Sequence, residues 1–322
     1  MIIKRQFIQF QILSILPFAV TIFFLLPSLS DADSPPSRYF YSGDGTIHLI
    51  NQKNGATFNG KYRADDGTYF KEALEEIHSV FDTEYGDPVS AISLRLIEFL
   101  DFLVDTLRPE SKITVASGWR SPEYNKKLQE EGKLAATASL HQYGMAADIS
   151  VEGVHPKYMW NYIKKLGFGG VGYYHGKLVH VDVGPPRSWN ETSSGVGTGI
   201  SDDNKLIGII TDRDIYLPGE IITLRFIRMT AFPIGVLGRF ILEHMDEEGD
   251  VRRIVMFSPS FKKEADHFCI QFYTIGQMMG ITWKLPRHLD AGYYRIRSFL
   301  CEEQWENMPT DITTSIFEIR QP

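Results

Sequence analysis

The sequence predicts an α+β region followed by an all-β region. Helical periodicity alternates with short apolar runs up to about residue 190, and from Lys205 onward only strand-like alternation remains. The 322 residues suggest about two domains, since a domain averages roughly 150 residues. Hydrophobic residues make up 43% of the chain and aromatic residues 13%, which is enough to fill two cores.

Composition and charge exclude several classes of protein. The formal charge of −7 and the pI near 5.7 argue against a dedicated nucleic-acid-binding protein, which normally carries a basic domain. Two cysteines are too few for a disulfide framework or for a Cys-rich zinc or iron–sulfur site. A metal in this protein would therefore be held by histidine and carboxylate side chains.

The N-terminal residues have the pattern of a secretory signal peptide. Lys4 and Arg5 supply a basic start, and an apolar run over Ile12–Leu26 follows. Ser30–Ala32 has the small-x-small pattern of a cleavage site, so residues 1–32 are predicted to be removed. The run is shorter than the about 20 residues that span a membrane, and an uncleaved inner-membrane anchor is the alternative. The protein is therefore expected in the periplasm or cell envelope.

Residues 33–190 are predicted to form one domain of mixed helices and strands. β-Formers flank the turn Gly43–Gly45, and a second turn follows at Lys53–Gly55, which is typical of a β-hairpin within Tyr39–Asn59. Helical periodicity and one short apolar run predict the next elements: helices over Phe70–Phe81 and Ala91–Leu107, a strand over Lys112–Ala116 and a helix over Glu123–Glu131.

Residues 191–204 are predicted to be a linker. They are rich in Ser, Gly and Thr and contain almost no large apolar side chain. Gly195, Gly197 and Gly199 imitate part of a phosphate-binding loop, but the pattern lacks the preceding strand, the following helix and the lysine of such loops. A connection between two domains explains this composition better.

Residues 205–322 are predicted to form an all-β, immunoglobulin-like sandwich. Apolar and polar residues alternate in Ile221–Ile227, as in a half-buried strand. Similar short runs recur between turn residues: Arg239–His244, Arg253–Phe257, His267–Tyr273, Ile281–Lys284, Tyr293–Leu300 and Thr313–Ile319.

Two local features of this C-terminal region concern its side chains. Asp290 to Tyr294 fits the D-x-G-x-Y pattern of a tyrosine corner, in which Tyr294 is the corner residue. Cys269 and Cys301 both lie in predicted strands, and a disulfide and two buried free thiols are both compatible with the sequence.

Two predicted strands bring polar side chains together within residues 117–189. Val179–Val183 alternates valines with polar residues, so a strand here presents His180 and Asp182 together on one face. A second strand over Met145–Val151 places Asp148 on one of its faces.

A turn adds a second imidazole to these groups. Gly144 permits the chain to bring His141 back over the strand that carries Asp148. Two imidazoles and a carboxylate then converge with His180, which is the ligand set of a catalytic zinc site with a fourth position left for water. The alternative is structural, with hydrogen-bonded histidines in strands and a carboxylate that caps a turn.

The same residues resemble a known family. Ser139–Asp148 reads S-x-H-x-x-G-x-A-x-D, and His180–Asp182 reads H-x-D. This pattern resembles the M15 zinc peptidases, the group of D-Ala-D-Ala carboxypeptidases and hedgehog-like metallopeptidases, and within it the exported, YcbK-like murein endopeptidases. The likeness includes SGWRSPEYN, GFGGVGYY and VHVDVGPPRSW and covers about Tyr39–Trp189. It implies a hedgehog/D-Ala-D-Ala-peptidase-like zinc domain.

The resemblance also implies roles for individual residues. His141, Asp148 and His180 would bind Zn²⁺, and Arg120 would lie in the substrate groove and hold a carboxylate or carbonyl of the peptide. A structural salt bridge is the alternative for Arg120. Ser139 would form a hydrogen bond near the metal.

The sequence departs from the family at the general base. Several M15 enzymes carry an acid three residues before the last ligand, where this chain has Lys177. Asp182 is the acid on the same strand face, and it would either deprotonate water as the general base or only orient His180. His175 is a third candidate. Three aromatic side chains are further candidates for lining the groove: Tyr173, Tyr174 and Trp189.

Together with the signal-peptide pattern, the resemblance implies an exported zinc-dependent peptidase that acts on peptidoglycan stem peptides or cross-links. The alternative is a non-catalytic peptidoglycan-binding or adaptor protein in which zinc is only structural, and the missing upstream acid favours it. A third possibility is that the C-terminal sandwich binds a partner as the main function, although no sequence feature identifies that partner.

Overall fold

The N-terminal part of the computed structural model is built on one seven-stranded sheet. The structure describes residues 37–131, 139–173, 176–190, 207–228, 234–261, 268–306 and 308–321. The strands are β1 (Thr46–Asn51), β2 (Thr57–Lys61), β3 (Ile113–Ser117), β4 (Ala146–Val151), β5 (Gly170–Tyr173), β6 (Val179–Asp182) and β7 (Arg187–Asn190). Their spatial order is β2-β1-β3-β4-β6-β5-β7, with parallel pairing only for β1 with β3 and β5 with β7.

Four α-helices accompany this sheet in the described residues. They are α1 (Lys71–Val80), α2 (Leu94–Leu107), α3 (Pro122–Glu130) and α4 (Pro156–Leu166), and a 3₁₀ helix spans Leu140–Tyr143. In α2, Leu96, Leu100 and Leu103 follow the helical spacing and are fully buried, which explains why this helix lies in the core. At the start of α3, the Ser121 hydroxyl accepts a hydrogen bond from the Tyr124 N–H.

The C-terminal residues form two further sheets. Their strands are β8 (Ile207–Thr211), β9 (Ile215–Tyr216), β10 (Ile221–Arg228), β11 (Ile234–Met245), β12 (Val251–Phe257), β13 (Ile270–Phe272), β14 (Ile281–Lys284), β15 (Gly292–Leu300), β16 (Asp311–Thr313) and β17 (Phe317–Ile319). One sheet has the order β14-β10-β8, and the other follows β12-β11-β15-β17-β9, with β13 on β11 and β16 on β15. The buried ring of Phe226 from the first sheet contacts those of Phe240 and Phe272 from the second, so the sheets share a core.

Charged side chains join the two regions of the chain. Arg95 on α2 donates to the Asp214 carboxylate at 2.6 Å, and both side chains are buried. Arg38 pairs with Glu220 at 2.6 Å, and the Phe40 N–H donates to the second oxygen of Asp214. Pro35 to Pro322 accordingly falls into one compact unit.

Most predicted elements occur close to their expected positions, with several corrections. The hairpin, the first three helices and the strands that carry the polar residues are confirmed. The sequence interpretation missed α4, β5, β7, β8 and β9. The run Thr313–Ile319 is not one strand but is divided between β16 and β17. Between them the Thr314 N–H donates to the Ile296 carbonyl oxygen at 2.9 Å, and the Thr314 hydroxyl accepts the Ile296 N–H at 3.0 Å.

Two side-chain features of the C-terminal region have clear outcomes. The Tyr294 hydroxyl donates to the Asp290 carbonyl at 3.0 Å, as the tyrosine-corner pattern predicts. Cys269 and Cys301 form a disulfide, which decides between the two alternatives. The immunoglobulin-like topology itself stays a prediction, and residues 1–32 and 191–204 lie outside the described residues.

The helices are short compared with a membrane span. The longest of those described, α2, has 14 residues. In the part of the chain that the structure describes, no helix is both long and apolar enough to cross a membrane.

Candidate metal centre

Strand register places the polar residues of the centre in one row across the sheet. Asp148 on β4 lies opposite His180 on β6, which lies opposite Gly172 on β5, which in turn lies opposite Trp189 on β7. Directly opposite residues project to the same face of a sheet. The row therefore brings a carboxylate, an imidazole and an indole together across four neighbouring strands.

His141 approaches this row from the 3₁₀ helix Leu140–Tyr143. Its Nδ1 is 2.7 Å from the Gly118 carbonyl oxygen. Because a carbonyl can only accept, Nδ1 carries the hydrogen and Nε2 keeps its lone pair. Gly144 ends the helix in the left-handed conformation with φ of 65°, which permits the return to β4 expected from the sequence.

Three acceptor atoms converge between these elements. His180 Nδ1 is 3.1 Å from Asp148 Oδ1 and 3.2 Å from His141 Nε2, and the latter nitrogen is 3.4 Å from the same oxygen. Ligand atoms about 2.0–2.1 Å from a tetrahedral zinc ion are about 3.3 Å from one another. Three lone pairs at this separation repel unless a proton or a cation lies between them. The donor set therefore fits a zinc ion.

Asp182 fixes the orientation of the His180 ring. The His180 Nε2–H donates to Asp182 Oδ2 at 3.0 Å, which leaves Nδ1 as the nitrogen that faces Asp148. A carboxylate on the far nitrogen of a metal-binding histidine sets the tautomer and raises its basicity. This contact favours the orienting role of Asp182 over the general-base role, because Asp182 lies on the side of the ring away from the three converging atoms.

The Asp182 carboxylate is fully occupied by donors. Arg187 donates to both of its oxygens, at 3.0 and 2.7 Å, and the N–H groups of Gly170 and Gly184 donate to Oδ1 at 3.1 and 2.9 Å. Burial alone would raise the pKa of Asp182, but Arg187 and His180 hold it far below its usual range. A carboxylate with so low a pKa is a weak proton acceptor near neutral pH.

The pKa values of the three converging groups reflect burial and their mutual contacts. Burial, followed by the charge of Arg120, lowers the pKa of His141 to about 4. Burial would also lower the pKa of His180, but its contacts with the Asp148 and Asp182 carboxylates raise it. Burial opposes ionisation of Asp148, yet the two histidines and Arg120 hold its pKa well below the usual range.

Two glycines of β5 make room for this arrangement, and the sequence interpretation did not identify them as site residues. A Cβ at Gly172 would lie 2.6 Å from the Trp189 indole, whose ring is 5.1 Å from the His180 ring. A Cβ at Gly170 would lie 2.2 Å from Asp182 and 2.5 Å from Arg187. The alternating glycines of GFGGVGYY could have indicated these positions, because Gly170 and Gly172 lie on the strand face that makes these contacts.

Arg120 contacts Asp148, one of the three candidate metal ligands. Its guanidinium pairs with Asp148 Oδ2 and also donates from Nε to the Ser117 hydroxyl at 2.9 Å. This geometry favours the salt-bridge alternative and leaves Asp148 Oδ1 facing the two histidines. The Ser139 hydroxyl accepts the His141 N–H at 3.4 Å, so it contacts the 3₁₀ helix that carries His141 through the backbone.

The remaining sequence candidates have mixed outcomes. Tyr174 and His175 lie outside the described residues. Tyr173 is buried on β5, and its ring centroid is 6.0 Å from that of Trp160. Trp189 borders His180 as described above, so it is the aromatic candidate that lies at the centre.

Three aspartates of the N-terminal region form a second cluster of carboxylates. Oxygen atoms of Asp44, Asp101 and Asp105 lie within 4.8 Å of one another. Asp101 accepts hydrogen bonds from the Gly45 N–H and the Tyr62 hydroxyl, at 2.9 and 2.8 Å. Burial, with the nearby charges of Asp105 and Asp44, raises the pKa of Asp101 to about 7. These carboxylates repel one another and are not assigned a ligand.

Comparisons with known proteins match the region that contains the centre. Residues 42–189 match the Peptidase M15_2 family, described as Peptidoglycan L,D-endopeptidase MepK. Peptidoglycan L,D-endopeptidase MepK of Escherichia coli (strain K12) is 29% identical over 144 residues, which are 44% of this chain and 79% of that protein. A probable peptidoglycan L,D-endopeptidase MepK of Haemophilus influenzae is 35% identical over 80 residues, 24% of this chain and 43% of that protein.

One solved structure that the chain resembles aligns only poorly. A structure of toxic shock syndrome toxin-1, described as a bacterial superantigen, aligns with a TM-score of 0.23 and 5% identity, covering 36% of this chain and 100% of that chain. A superposition this poor carries no argument about fold or function.

Proposed function

Residues 42–189 belong to the M15 peptidase family, and on this premise we propose that the chain is a zinc-dependent endopeptidase that hydrolyses peptide bonds of peptidoglycan. The observation that carries the proposal is the convergence of His141 Nε2, Asp148 Oδ1 and His180 Nδ1 within 3.4 Å. When bound, zinc supplies a Lewis acid that polarises the scissile carbonyl and makes water a nucleophile near neutral pH.

The chain's own residues prepare the ligands for this task. Arg120 holds Asp148 through Oδ2 and thereby directs Oδ1 toward the two histidines. Asp182 and Gly118 fix the tautomers of His180 and His141, so that each ring offers an unprotonated nitrogen. We assign these three groups to positioning, and the Trp189 ring beside His180 to one wall of the substrate site.

The proton-transfer residue is a separate assignment. Asp182 is a poor candidate because donors occupy both of its oxygens and its pKa is held low. His175, which lies between β5 and β6 in the sequence, is the other candidate for proton transfer. His175→Ala is the variant to assay. Loss of turnover with zinc retained would assign it the role of acid or base.

The substrate class follows from the relatives. The matched family and both relatives carry the name peptidoglycan L,D-endopeptidase. We therefore propose an L,D-bond of a peptidoglycan peptide as the cleavage site and a location in the periplasm or cell envelope.

Mass spectrometry of muropeptides tests this proposal. Purified full-length protein loaded with zinc should release new peptide ends from sacculi, and a chelator should abolish the release. His141→Ala and His180→Ala should both be inactive, because a three-ligand site rarely survives loss of a ligand. His288→Ala, which changes an exposed histidine of the C-terminal region, is the matched control and should cleave normally.

A second candidate function is a non-catalytic peptidoglycan-binding protein with structural zinc. The fully occupied Asp182 carboxylate favours it, since this acid is not free to accept a proton. Intact muropeptides after incubation with the zinc-loaded protein, together with retained binding to sacculi, would replace the endopeptidase proposal by this one.

A further inference from the structure

The C-terminal region contacts the segment that carries the metal ligand His141. Arg225, on β10, donates from Nη1 to the Tyr143 carbonyl oxygen at 2.8 Å. Tyr143 is the last residue of the 3₁₀ helix Leu140–Tyr143, and carbonyls at a helix end lack partners within the helix. A guanidinium at this position is a charge-assisted donor at the negative end of the helix.

The neighbouring carbonyls of this segment are held from within the N-terminal region. The donors and acceptors are Met145 N to Leu140 O, Arg120 N to His141 O, Trp119 Nε1 to Gln142 O, Ser93 N to Gly144 O and Val183 N to Met145 O, at 2.9 to 3.3 Å. At position 143 the carbonyl accepts a hydrogen bond from a residue of the C-terminal region, Arg225. The C-terminal region thus completes the set of contacts that fixes the segment.

The segment has little space in which to relax. A Cβ at Gly144 would lie 2.3 Å from the Ala91 carbonyl oxygen, so the backbone already packs closely against its neighbour. Burial, followed by the charge of Arg95, lowers the pKa of Arg225 to about 10, so this guanidinium is desolvated but still charged at neutral pH. Removal of Arg225 would leave the Tyr143 carbonyl without this contact.

We propose that Arg225 is a positioning residue of the metal centre, acting on His141 through the Tyr143 carbonyl and the 3₁₀ helix. The C-terminal region then supports the metal site through this helix. The family match ends at residue 189, so the comparisons assign no role to Arg225. Its effect on turnover rests on the proposed peptidase activity, whereas its effect on metal affinity rests only on the proposed zinc site.

Zinc affinity of the full-length chain tests the inference. Competition with a chromophoric chelator should show about 10-fold weaker zinc binding by Arg225→Met, the lower end of the effect of removing a supporting contact. The absorption spectrum of the cobalt-loaded variant should shift, because the ligand geometry changes. With zinc in excess, kcat should fall while KM stays the same, and Arg225→Lys should restore most of the affinity by donating to the same carbonyl.

A matched control separates this role from general loosening of the interface. Arg38→Met removes another arginine between the two regions, whose partners are Glu220 and the Ile215 carbonyl. It should lower the melting temperature without changing the zinc affinity or the cobalt spectrum. If Arg225→Met does not fold, Arg225→Gln, whose side chain is shorter than that of arginine, carries the same expectation.

The outcomes are distinct for the two proposals. The positioning role would be overturned if the folded Arg225 variants had the same zinc affinity and the same cobalt spectrum as Arg38→Met. Failure of the wild-type protein to cleave muropeptides would overturn the proposed function and leave the affinity comparison intact.

Discussion

Two carboxylates of the N-terminal region are equally buried but have opposite environments. Asp182 on β6 and Asp101 on α2 are both 0% exposed. Asp182 accepts hydrogen bonds from an imidazole, a guanidinium and two backbone N–H groups, and its pKa is held far below the usual range. Asp101 accepts from the Tyr62 hydroxyl and the Gly45 N–H, and its pKa is raised to about 7.

The difference shows that burial alone does not decide the charge of a carboxyl group. Desolvation opposes ionisation at both positions, and only at Asp182 do a guanidinium and an imidazole offset it. Asp101 instead faces Asp105 and Asp44, which favour its protonated form. Asp182 therefore supplies a fixed negative charge next to the candidate metal ligand His180. Asp101, beneath the turn at the start of the domain, is instead a carboxyl group that binds a proton.

The largest expected effect is from removing the cation beside Asp182. Arg187→Met should destabilise the protein by about 3–5 kcal/mol, because it leaves a buried carboxylate without its paired charge. It should also weaken zinc binding, since Asp182 would no longer be fixed against His180. Denaturant unfolding and chelator competition measure the two effects.

The control for this variant is an arginine on the surface. Arg253 lies exposed on β12, so Arg253→Met should change neither the free energy of unfolding nor the zinc affinity. Unchanged stability and zinc affinity in Arg187→Met would contradict the role given to the paired charge.

The next effect separates the two roles of Asp182. If Asp182 orients His180, Asp182→Asn should weaken zinc binding by about 10- to 100-fold, and excess zinc should restore most of the activity. If Asp182 were the general base, turnover would fall by about 10²-fold or more with zinc still bound, and added zinc would not help. Asp101→Asn is the matched control in the same domain and should leave zinc affinity unchanged.

The last expected effect concerns the pH dependence of the free energy of unfolding at Asp101. Its folded-state pKa of about 7 lies above the usual value of 3.8, so the folded protein holds a proton that the unfolded chain releases. This contribution is fully present below about pH 4 and is lost as pH rises through about 7, at up to about 1.4 kcal/mol per pH unit.

Asp101→Asn should remove that dependence. Relative to wild type, the variant should become more stable as pH rises from about 5 to about 8, as measured by urea unfolding at each pH. Asp65→Asn, at an exposed carboxylate of the same domain, should keep the wild-type slope. An unchanged slope in Asp101→Asn would show that another group titrates in this range.

The sequence predicted those features that depend on local pattern. The apolar spacing of α2 and the valine alternation of β6 specify a helix and a strand without knowledge of their partners. The proposed metal ligands followed from the alternation of His180 with valines, the turn at Gly144 and a recognisable motif. Their convergence depends on register, which the pairing of Asp148 with His180 satisfies.

The features that the sequence did not reveal depend on glycine and on distant partners. β5 was missed because glycine has low strand propensity, although Gly170 and Gly172 are required there by the side chains opposite them. The contact of Arg187 with Asp182 requires the parallel pairing of β5 with β7. The contact of Arg225 with Tyr143 joins positions 82 residues apart, and no local pattern marks it.

X-ray absorption at the zinc edge of the loaded full-length protein tests the proposed metal centre most directly. We expect one zinc per chain, with nitrogen and oxygen neighbours at about 2.0–2.1 Å and the scattering signature of two imidazoles. His180→Ala should lose most of the bound zinc, whereas His288→Ala should keep one zinc with the two-imidazole signature. A wild-type spectrum with fewer than two imidazoles, or the same spectrum in His180→Ala, would contradict the assignment of His141, Asp148 and His180 as the metal centre.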